Sequence, residues 1–329
     1  MGHMKNFLFL LSFLSFCLSA APTPALLFKI NGSVVKVHVA NKDGHHGVGS
    51  GVVVAKDHVV TNCHVIANAK GVHVTKFGKS HAPHSLLADW KNDLCILKFK
   101  YLELDPVRLV KNNTVDYETK VFSKNYGGNT VKPHTTFGRI KGIYNLDNYK
   151  IIQSSAWFAI GASGGGIFNY DGELIGITTF KTPGNTAFYY SMPVKIIKKL
   201  LDQGKEISVT TQSELPFWDA PPKEQPYFMQ VVGATKQQSW NELKKITAKW
   251  IKEEPQEIEA LYHHGYSFYE LKDFTSAKTL LQKVIKQNNK HALAYLHLYK
   301  IAIIEKQEDD IGYYKSRIIK LDDSLIKQE

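Results

Sequence analysis

The sequence has little cysteine and no block of like charges, although its formal net charge is +11. Three cysteines allow at most one disulfide bond. Because the lysines are scattered, the positive charge favours solubility, and we expect no nucleic-acid partner. Beyond an apolar run near the N-terminus, no stretch could cross a bilayer. The 329 residues suffice for two domains, each with its own core.

Residues 1–20 have the pattern of a secretion signal. The first three residues look like a cloning remnant, Lys5 supplies a positive charge, and residues 7–18 form an apolar core. Small residues follow, and cleavage is expected after Ala20. We therefore expect an exported bacterial protein, periplasmic or secreted, with no stable membrane span after cleavage. An uncleaved signal anchor is the alternative.

Short β-branched runs separated by turn residues fill the next part of the chain. Strands are predicted at residues 51–55, 58–61, 71–76, 94–99, 150–153, 174–179 and 186–191. Regular short strands of this kind favour a sandwich or a barrel. A helix is predicted from Val194 to about Asp202, with Gly204 as its stop.

The C-terminal third has a different pattern. Four prolines crowd residues 206–235, which we interpret as a linker. The helical spacing that follows begins with Ser239 and Glu242, a capping-box pair. Residues 255–261 and 289–295 align at a period of 34 and resemble a tetratricopeptide array, with a plain helical bundle as the alternative. Such a domain would bind a protein partner on a concave surface, or would only stabilise the first domain.

Three separate motifs supply the groups that a nucleophilic hydrolase needs. Ser163 lies in a glycine-rich turn, His64 follows the end of strand 58–61, and Asp93 opens the apolar strand 94–99. We expect Ser163 to be the nucleophile, His64 the general base and Asp93 the acid that orients the base. Asp89 is a competitor for the last role, but no apolar strand follows it.

The glycines around Ser163 allow a tight turn. This turn can aim the amides of Gly161 and Ser163 at one point, as an oxyanion hole. No helical run follows Ser163, which disfavours an α/β-hydrolase. A metal site is an alternative, but the histidines that suggest it match no zinc spacing, so we expect neither metal nor cofactor. Those histidines are His45, His46, His81 and His84.

The strings GSGVVV, TNCHV, DLCIL and GASGGG occur in this order at residues 49–54, 61–65, 93–97 and 161–166. They resemble the motifs of trypsin-like serine peptidases, most closely the HtrA/Deg branch. The resemblance covers about residues 31–204. It implies an all-β chymotrypsin-like domain of two orthogonal barrels, with the three catalytic groups in the cleft between them.

The sequence patterns and the two resemblances together predict the domain organisation. It comprises a signal segment at 1–20, a peptidase domain at 21–205, a proline-rich linker at 206–235 and an all-α tetratricopeptide-like domain at 236–329. The resemblance to the peptidases also implies that peptide substrates pass Thr179 and Phe180, and Ile160 near the nucleophile is a further expected substrate contact. The expected activity is that of an exported serine endopeptidase that forms an acyl-enzyme.

Departures from the family pattern carry their own expectations. Gly166 stands where the family has proline, which predicts a looser oxyanion loop. No acidic residue lies in residues 157–160, so an apolar side chain is expected on the acyl side of the scissile bond. No PDZ-like domain follows the peptidase domain. The alternatives are a latent or inactive scaffold that binds protein partners through its helical domain, and an esterase.

Cys63 adjoins His64, and Cys95 lies two residues after Asp93. If His64 and Asp93 touch, the two cysteines are neighbours as well. We therefore predict a disulfide between Cys63 and Cys95, with two buried free thiols as the alternative.

Overall fold

The computed structural model describes residues 21–41, 44–111, 115–182, 188–209 and 214–327. The expected signal segment lies outside these ranges. No helix within them is both long and apolar enough to cross a bilayer.

The described residues form fifteen strands and ten helices. The strands are β1 (Val34–Asn41), β2 (His46–Ala55), β3 (His58–Thr61), β4 (Ala69–Lys76), β5 (Lys79–His81), β6 (Ser85–Asp89), β7 (Leu94–Lys98), β8 (Arg108–Leu109), β9 (Lys120–Asn125), β10 (His134–Leu146), β11 (Tyr149–Ser154), β12 (Gly166–Asn169), β13 (Glu173–Lys181), β14 (Tyr189–Pro193) and β15 (Glu206–Ile207). The helices are α1 (Pro24–Ser33), α2 (Cys63–Ile66), α3 (Val194–Gln203), α4 (Tyr227–Lys236), α5 (Trp240–Glu253), α6 (Ile258–Glu270), α7 (Phe274–Gln287), α8 (Ala292–Glu305), α9 (Glu308–Asp322) and α10 (Ser324–Lys327).

The strands form two sheets. The first has the order β15-β6-β7-β3-β2-β1-β4-β5, and the second has the order β12-β9-β10-β11-β14-β13-β8. Pairing of β12 with β13 closes the second sheet into a six-stranded barrel. Among the described residues the edge strands of the first sheet, β15 and β5, do not pair with each other. The double-barrel class followed by helices is confirmed, with the first barrel open.

Side chains on one face of the first sheet form a hydrophobic core, and many of them are β-branched. Val37, Val53 and Val59 are fully buried there, together with both cysteines. Side chains of successive residues in a strand point to opposite faces, so this valine spacing selects one face for the core. The core of the first sheet thereby holds the end of β3, where the residues of the TNCHV motif begin.

The C-terminal helices repeat at the predicted interval. The helix pair α6/α7 begins at Ile258. The pair α8/α9 begins at Ala292, which is 34 residues later in the sequence. Ser239 is the N-cap of α5, but its side chain makes no capping hydrogen bond within the described chain. The helix start was thus predicted correctly, while the side-chain bond expected of the capping box is not formed.

The proline-rich segment 206–235 is folded along most of its described length. It contains β15, a 3₁₀ turn at Phe217–Asp219 and nearly all of α4. Pro216 and Pro226 occupy the N-cap positions of the turn and of α4, where the missing N–H and the fixed φ of proline cost nothing. Proline density therefore marks helix starts here, although the sequence pattern suggested a linker.

The helices and the closed barrel share one hydrophobic core. Tyr144 of β10 is 2% exposed, and its ring stacks on Phe228 of α4 with centroids 4.8 Å apart. Trp250 of α5 and Tyr190 of β14 belong to the same core. These aromatic side chains come from the barrel and from the helices, so the helical region packs directly against the barrel.

A buried polar cluster crosses the same boundary. The Tyr117 hydroxyl donates to Glu259 Oε1 over 2.7 Å, and His263 and His291 Nε2 lie 3.8 and 3.7 Å from the Glu259 carboxyl. Burial raises the pKa of Glu259 to about 8 and lowers the pKa of each histidine to about 3. The separations from the histidines exceed hydrogen-bond length, so we take all three groups as neutral near pH 6.

Glu259→Gln is expected to make the protein more stable than wild type above pH 8. The folded-state pKa of Glu259 lies above its ordinary value of 4.5, so its contribution to stability is present below pH 4.5 and is lost as pH rises through about 8. A glutamine keeps an acceptor for Tyr117 and does not titrate. Thermal unfolding at pH 6 and pH 9 provides the test. Between these pH values the free energy of unfolding of wild type should fall, relative to that of Glu259→Gln, by on the order of 2–4 kcal/mol. Equal pH dependence in wild type, Glu259→Gln and the exposed-site control Glu308→Gln would refute the assignment.

Candidate active site

Asp93 opens β7 from a sharp turn and points into the interior. Its φ is +57°, a left-handed conformation that aspartate tolerates better than most residues. The Asp89 carboxylate accepts from the backbone and side-chain nitrogens of Asn92, which fixes the preceding turn. The two acids that competed in the sequence therefore differ: Asp89 holds the turn, and the fully buried Asp93 is presented by it.

Two hydrogen bonds join Asp93 to His64. The His64 backbone N–H donates to Oδ1 over 2.8 Å, and Nδ1 lies 2.6 Å from Oδ2. This leaves Nε2 on the outer side of the ring, whose side chain is 30% exposed. The imidazole is held in the tautomer with a free acceptor at Nε2, which is the arrangement a general base requires.

Ser163 lies in the turn that connects β11 to β12. Its Oγ donates to the carbonyl of Thr179 on β13 over 3.1 Å, and its own carbonyl accepts from the Ser50 amide over 2.8 Å. No hydrogen bond between described residues joins Ser163 Oγ to His64. The turn is thus pinned to both sheets, while the hydroxyl is free to change partner by rotation about one bond.

The amides of Gly161 and Ser163 have no acceptor among the described residues. The carbonyl before each amide is bound elsewhere: Ile160 O accepts from Gly128 N over 2.7 Å, and Ala162 O accepts from Gly165 N over 2.8 Å. In a trans peptide the N–H points away from the preceding carbonyl. Both N–H groups therefore point away from the donors that bind these carbonyls. This is the orientation that two donors to the oxygen of a bound substrate need.

Glycine is required for different physical reasons at different positions in and after the turn. Gly161 and Gly164 have φ of +90° and +88°, and a Cβ on Gly164 would lie 2.0 Å from Ser50 O. Gly166 is a strand residue of β12, paired with Lys124 and Ile177, and its missing Cβ makes room for the Phe168 ring. The expectation that Gly166 loosens the loop is wrong, because sheet pairing on both sides holds it.

Two motif residues that the sequence did not assign position this site. Ser50 Oγ donates to Gly161 O over 2.8 Å and accepts from Tyr126 N over 2.9 Å. The fully buried Asn62 donates to Asp93 O over 2.8 Å and to Thr179 Oγ1 over 3.0 Å. Ser50 lies in the GSG string and Asn62 lies in the TN string. Each string therefore contains a residue whose side chain forms a hydrogen bond from the first sheet to the second-sheet side of the site.

Trp218 also reaches the site, from the segment that we had interpreted as a linker. Its Nε1 donates to Asp93 Oδ2 over 3.1 Å, and its ring meets His64 edge-on at 5.3 Å. The ring stacks on Phe180 at 5.7 Å, and the next residue back, Phe217, is buried. The only hint in the sequence was a pair of bulky aromatic residues among prolines, an unusual content for a linker.

Trp218→Phe is expected to slow phosphonylation of Ser163 by about tenfold, because a hydrogen bond to a buried carboxylate is lost while the ring beside His64 is kept. The rate with a small fluorophosphonate measures this step without peptide contacts. Trp240→Phe on α5 makes the same chemical change at a ring that contacts Tyr266 of α6, and it should leave the rate as in wild type. A Trp218→Phe rate equal to that of wild type would show that the tryptophan only packs there.

Cys63 and Cys95 form a disulfide beside the His64–Asp93 pair. The two residues are 32 apart in the sequence, so in the chain-entropy model the closed loop stabilises the fold by about 3–4 kcal/mol. The bond joins α2, which carries His64, to β7, which Asp93 opens. It therefore fixes the two elements that hold the base and its acid.

The remaining predicted residues lie around this centre. Thr179 is buried, Phe180 packs against Trp218, and Ile160 is 87% exposed next to Gly161. An exposed apolar side chain beside the free amides is available to a bound peptide. Within the described ranges no group of three or more His, Cys, Asp or Glu residues is placed to hold a metal ion.

Comparison with protein-family models finds two matches. Residues 49–177 match the trypsin-like peptidase domain, and residues 259–288 match the tetratricopeptide repeat. The first range contains His64, Asp93 and Ser163, and the second contains α7 and all of α6 except its first residue. The predicted resemblance of each region is confirmed.

Curated relatives match about half of the chain. A probable periplasmic serine endoprotease DegP-like protein of Buchnera aphidicola subsp. Baizongia pistaciae is 31% identical over 185 residues, covering 52% of this chain and 39% of the relative. The periplasmic serine endoprotease DegP of Salmonella typhimurium is 30% identical over 179 residues, covering 51% and 38%. The chain spans about two fifths of the length of these relatives.

Solved structures share the fold. The Rv3671c protease from M. tuberculosis in its active form superposes with a TM-score of 0.52 at 20% identity, covering 58% of this chain and 92% of that one. The HtrA-type protease AlgW with a tripeptide gives 0.50 at 22% identity, covering 55% and 63%. The strand-rich part of the chain therefore has the fold of these proteases.

Proposed function

We propose that this chain is a serine endopeptidase that works outside the cytoplasm. The observation that carries the proposal is the buried Asp93 carboxylate holding His64 Nδ1 at 2.6 Å beside the Ser163 turn. A carboxylate buried at this position orients the imidazole and stabilises its protonated form. The match of residues 49–177 to the trypsin-like peptidase domain supports the same reaction class.

The first half of the reaction forms an acyl-enzyme. Ser163 Oγ turns from Thr179 O towards His64 Nε2, transfers its proton there and bonds to the scissile carbonyl carbon. The carbonyl oxygen gains the negative charge and accepts from the amides of Gly161 and Ser163. The C–N bond then breaks as His64 returns the proton to the leaving amine. In the second half, water replaces the amine and His64 repeats both transfers, which releases the acid and restores Ser163.

Export is part of the proposal. The signal-like residues 1–20, the Cys63–Cys95 disulfide and the periplasmic location in the names of the relatives all point to an oxidising compartment. N-terminal sequencing of the protein recovered from the periplasm tests this, and we expect the mature chain to begin at Ala21. A full-length chain retained in the cytoplasm would contradict it.

We propose that the helical region acts first as a brace for the barrel. Glu257, the N-cap of α6, accepts from Asn145, and Glu259 of α6 accepts from Tyr117, so the side of the helix that faces the barrel is occupied. Binding of a protein partner by the helical region stays a prediction, and such a partner would have to use its other faces.

Cleavage of casein beside turnover of a small activated ester tests the reaction class. We expect wild type to process both and Ser163→Ala to lose at least 10³-fold on each. Ester turnover without any protein cleavage would indicate an esterase. Failure on both substrates would indicate a latent or inactive scaffold.

A further inference from the structure

A cavity of about 350 Å³ opens beside the catalytic residues, between the closed barrel and α4. Phe180 and Trp218 form its side nearest the site, and Met229, Val232 and Gly233 form the side contributed by α4. Trp218 is shared, since its ring contacts His64 as well as Phe180. The cavity and the catalytic centre are thus separated by one aromatic ring.

The position of the cavity fits a peptide bound at Ser163. Ser163 Oγ contacts Thr179 O, so a peptide in the site passes β13 where Phe180 and Lys181 follow. An extended peptide advances about 3.3 Å per residue and turns alternate side chains to opposite faces. A side chain one or two residues from the scissile bond can therefore enter the cavity.

Hydrogen bonds hold one wall of the cavity in place. The Gln225 side-chain amide donates to the backbone carbonyls of Trp218 and Ala220 over 3.1 and 2.9 Å. The Gln225 backbone carbonyl accepts from the Gln230 side-chain amide over 2.7 Å. These bonds tie the turn that carries Trp218 to the start of α4. A fixed wall of this kind lowers the ordering cost of binding.

The rim of the cavity is positively charged. Lys181 and Lys236 both line it, and the pKa of Lys236 is lowered, first by burial and then by the charge of Lys181. None of the described lining residues is acidic. A carboxylate placed at this rim would reduce the repulsion between two like charges.

We propose that this cavity is a substrate subsite for an apolar side chain that is followed or preceded by an aspartate or glutamate. The proposal rests on the proposed peptidase function. It gives the C-terminal segment a part in choosing substrates, because the apolar wall and one of the two lysines come from α4.

Gly233 permits a direct test. It lies in α4, a Cβ on it would meet nothing within 4 Å, and a phenylalanine there would fill the cavity. Gly312 in α9 is also a helical glycine with open space, so Gly312→Phe is a matched control. A peptide library that varies positions on both sides of the scissile bond gives kcat/KM by residue type.

Wild type is expected to prefer a large apolar residue over glycine by about 10- to 100-fold at one position. Gly233→Phe should abolish that preference and Gly312→Phe should keep it. Lys181→Glu and Lys236→Glu should each lower the preference for a neighbouring acidic residue by about two- to fivefold, with the exposed Lys283→Glu as control.

The outcomes separate this proposal from the proposed function. If wild type cleaves the library and no position changes in Gly233→Phe or in the lysine variants, the subsite is refuted and the peptidase stands. If Gly233→Phe alters self-association but not selectivity, the cavity binds a second copy instead and the subsite is also refuted. If wild type cleaves no peptide, the proposed function itself fails. The lysine variants decide the question should Gly233→Phe not fold.

Discussion

Asp93→Asn is expected to lower kcat/KM for peptide hydrolysis by about 10⁴-fold, as loss of the orienting carboxylate does in serine-protease triads. The reason lies in the three donors that converge on this carboxyl: His64 N on Oδ1, and His64 Nδ1 with Trp218 Nε1 on Oδ2. A carboxamide has one acceptor oxygen and one NH₂ group. If the oxygen of the asparagine side chain faces His64 N, its NH₂ group faces His64 Nδ1. Nδ1 would then have to accept a hydrogen bond, and the imidazole proton would lie on Nε2.

Asp89→Asn is the matched control for this change. Asp89 holds the turn through its bonds to Asn92, and an asparagine side chain keeps one acceptor for them. We expect a loss of less than tenfold there. Comparable losses in the two variants would mean that the turn, and not the carboxylate facing His64, carries the effect.

Residues 21–205 expressed alone are expected to be aggregation-prone and at least 10³-fold less active than the full chain. Removal of the rest uncovers Tyr144 and Tyr190, which Phe228 and Trp250 cover in the folded protein. It also removes Trp218 from Asp93. An exposed aromatic face of this size favours association with other chains, and Asp93 loses one donor.

Light scattering and fluorophosphonate labelling of the fragment measure both losses. Adding residues 206–329 as a separate chain should restore part of the labelling, because the two pieces share one core. A monomeric fragment 21–205 that labels at the rate of the full chain would contradict the bracing role and would support an independent helical domain.

Local sequence was enough to choose His64 and Asp93, which the structure joins, and the turn that carries Ser163. Asp93 precedes β7, His64 follows β3, and Ser163 lies in the glycine-rich turn before β12. The neighbouring glycines and β-branched residues indicate these positions without any long-range information. The disulfide followed from the same reasoning, because contact between His64 and Asp93 brings their neighbours together. The repeat period of 34 predicted the interval between α6 and α8 in the same way.

Residues that act through long-range contacts were not predictable. Trp218 lies 125 residues from Asp93, and nothing near it in the sequence names that partner. Proline density was interpreted as a linker because single-residue preferences do not distinguish a helix start from an irregular segment. The effect of Gly166 was misjudged for a similar reason, since its pairing with β9 and β13 depends on strands distant in the sequence.

Labelling of the purified mature protein with a fluorophosphonate is the most direct test of the account. Wild type is expected to be modified at Ser163, as located by peptide mass spectrometry, while Ser163→Ala and His64→Ala are expected to remain unlabelled. That result would establish a hydroxyl activated by the histidine that Asp93 holds. Absence of labelling in wild type, or equal labelling in His64→Ala, would contradict the proposed catalytic arrangement.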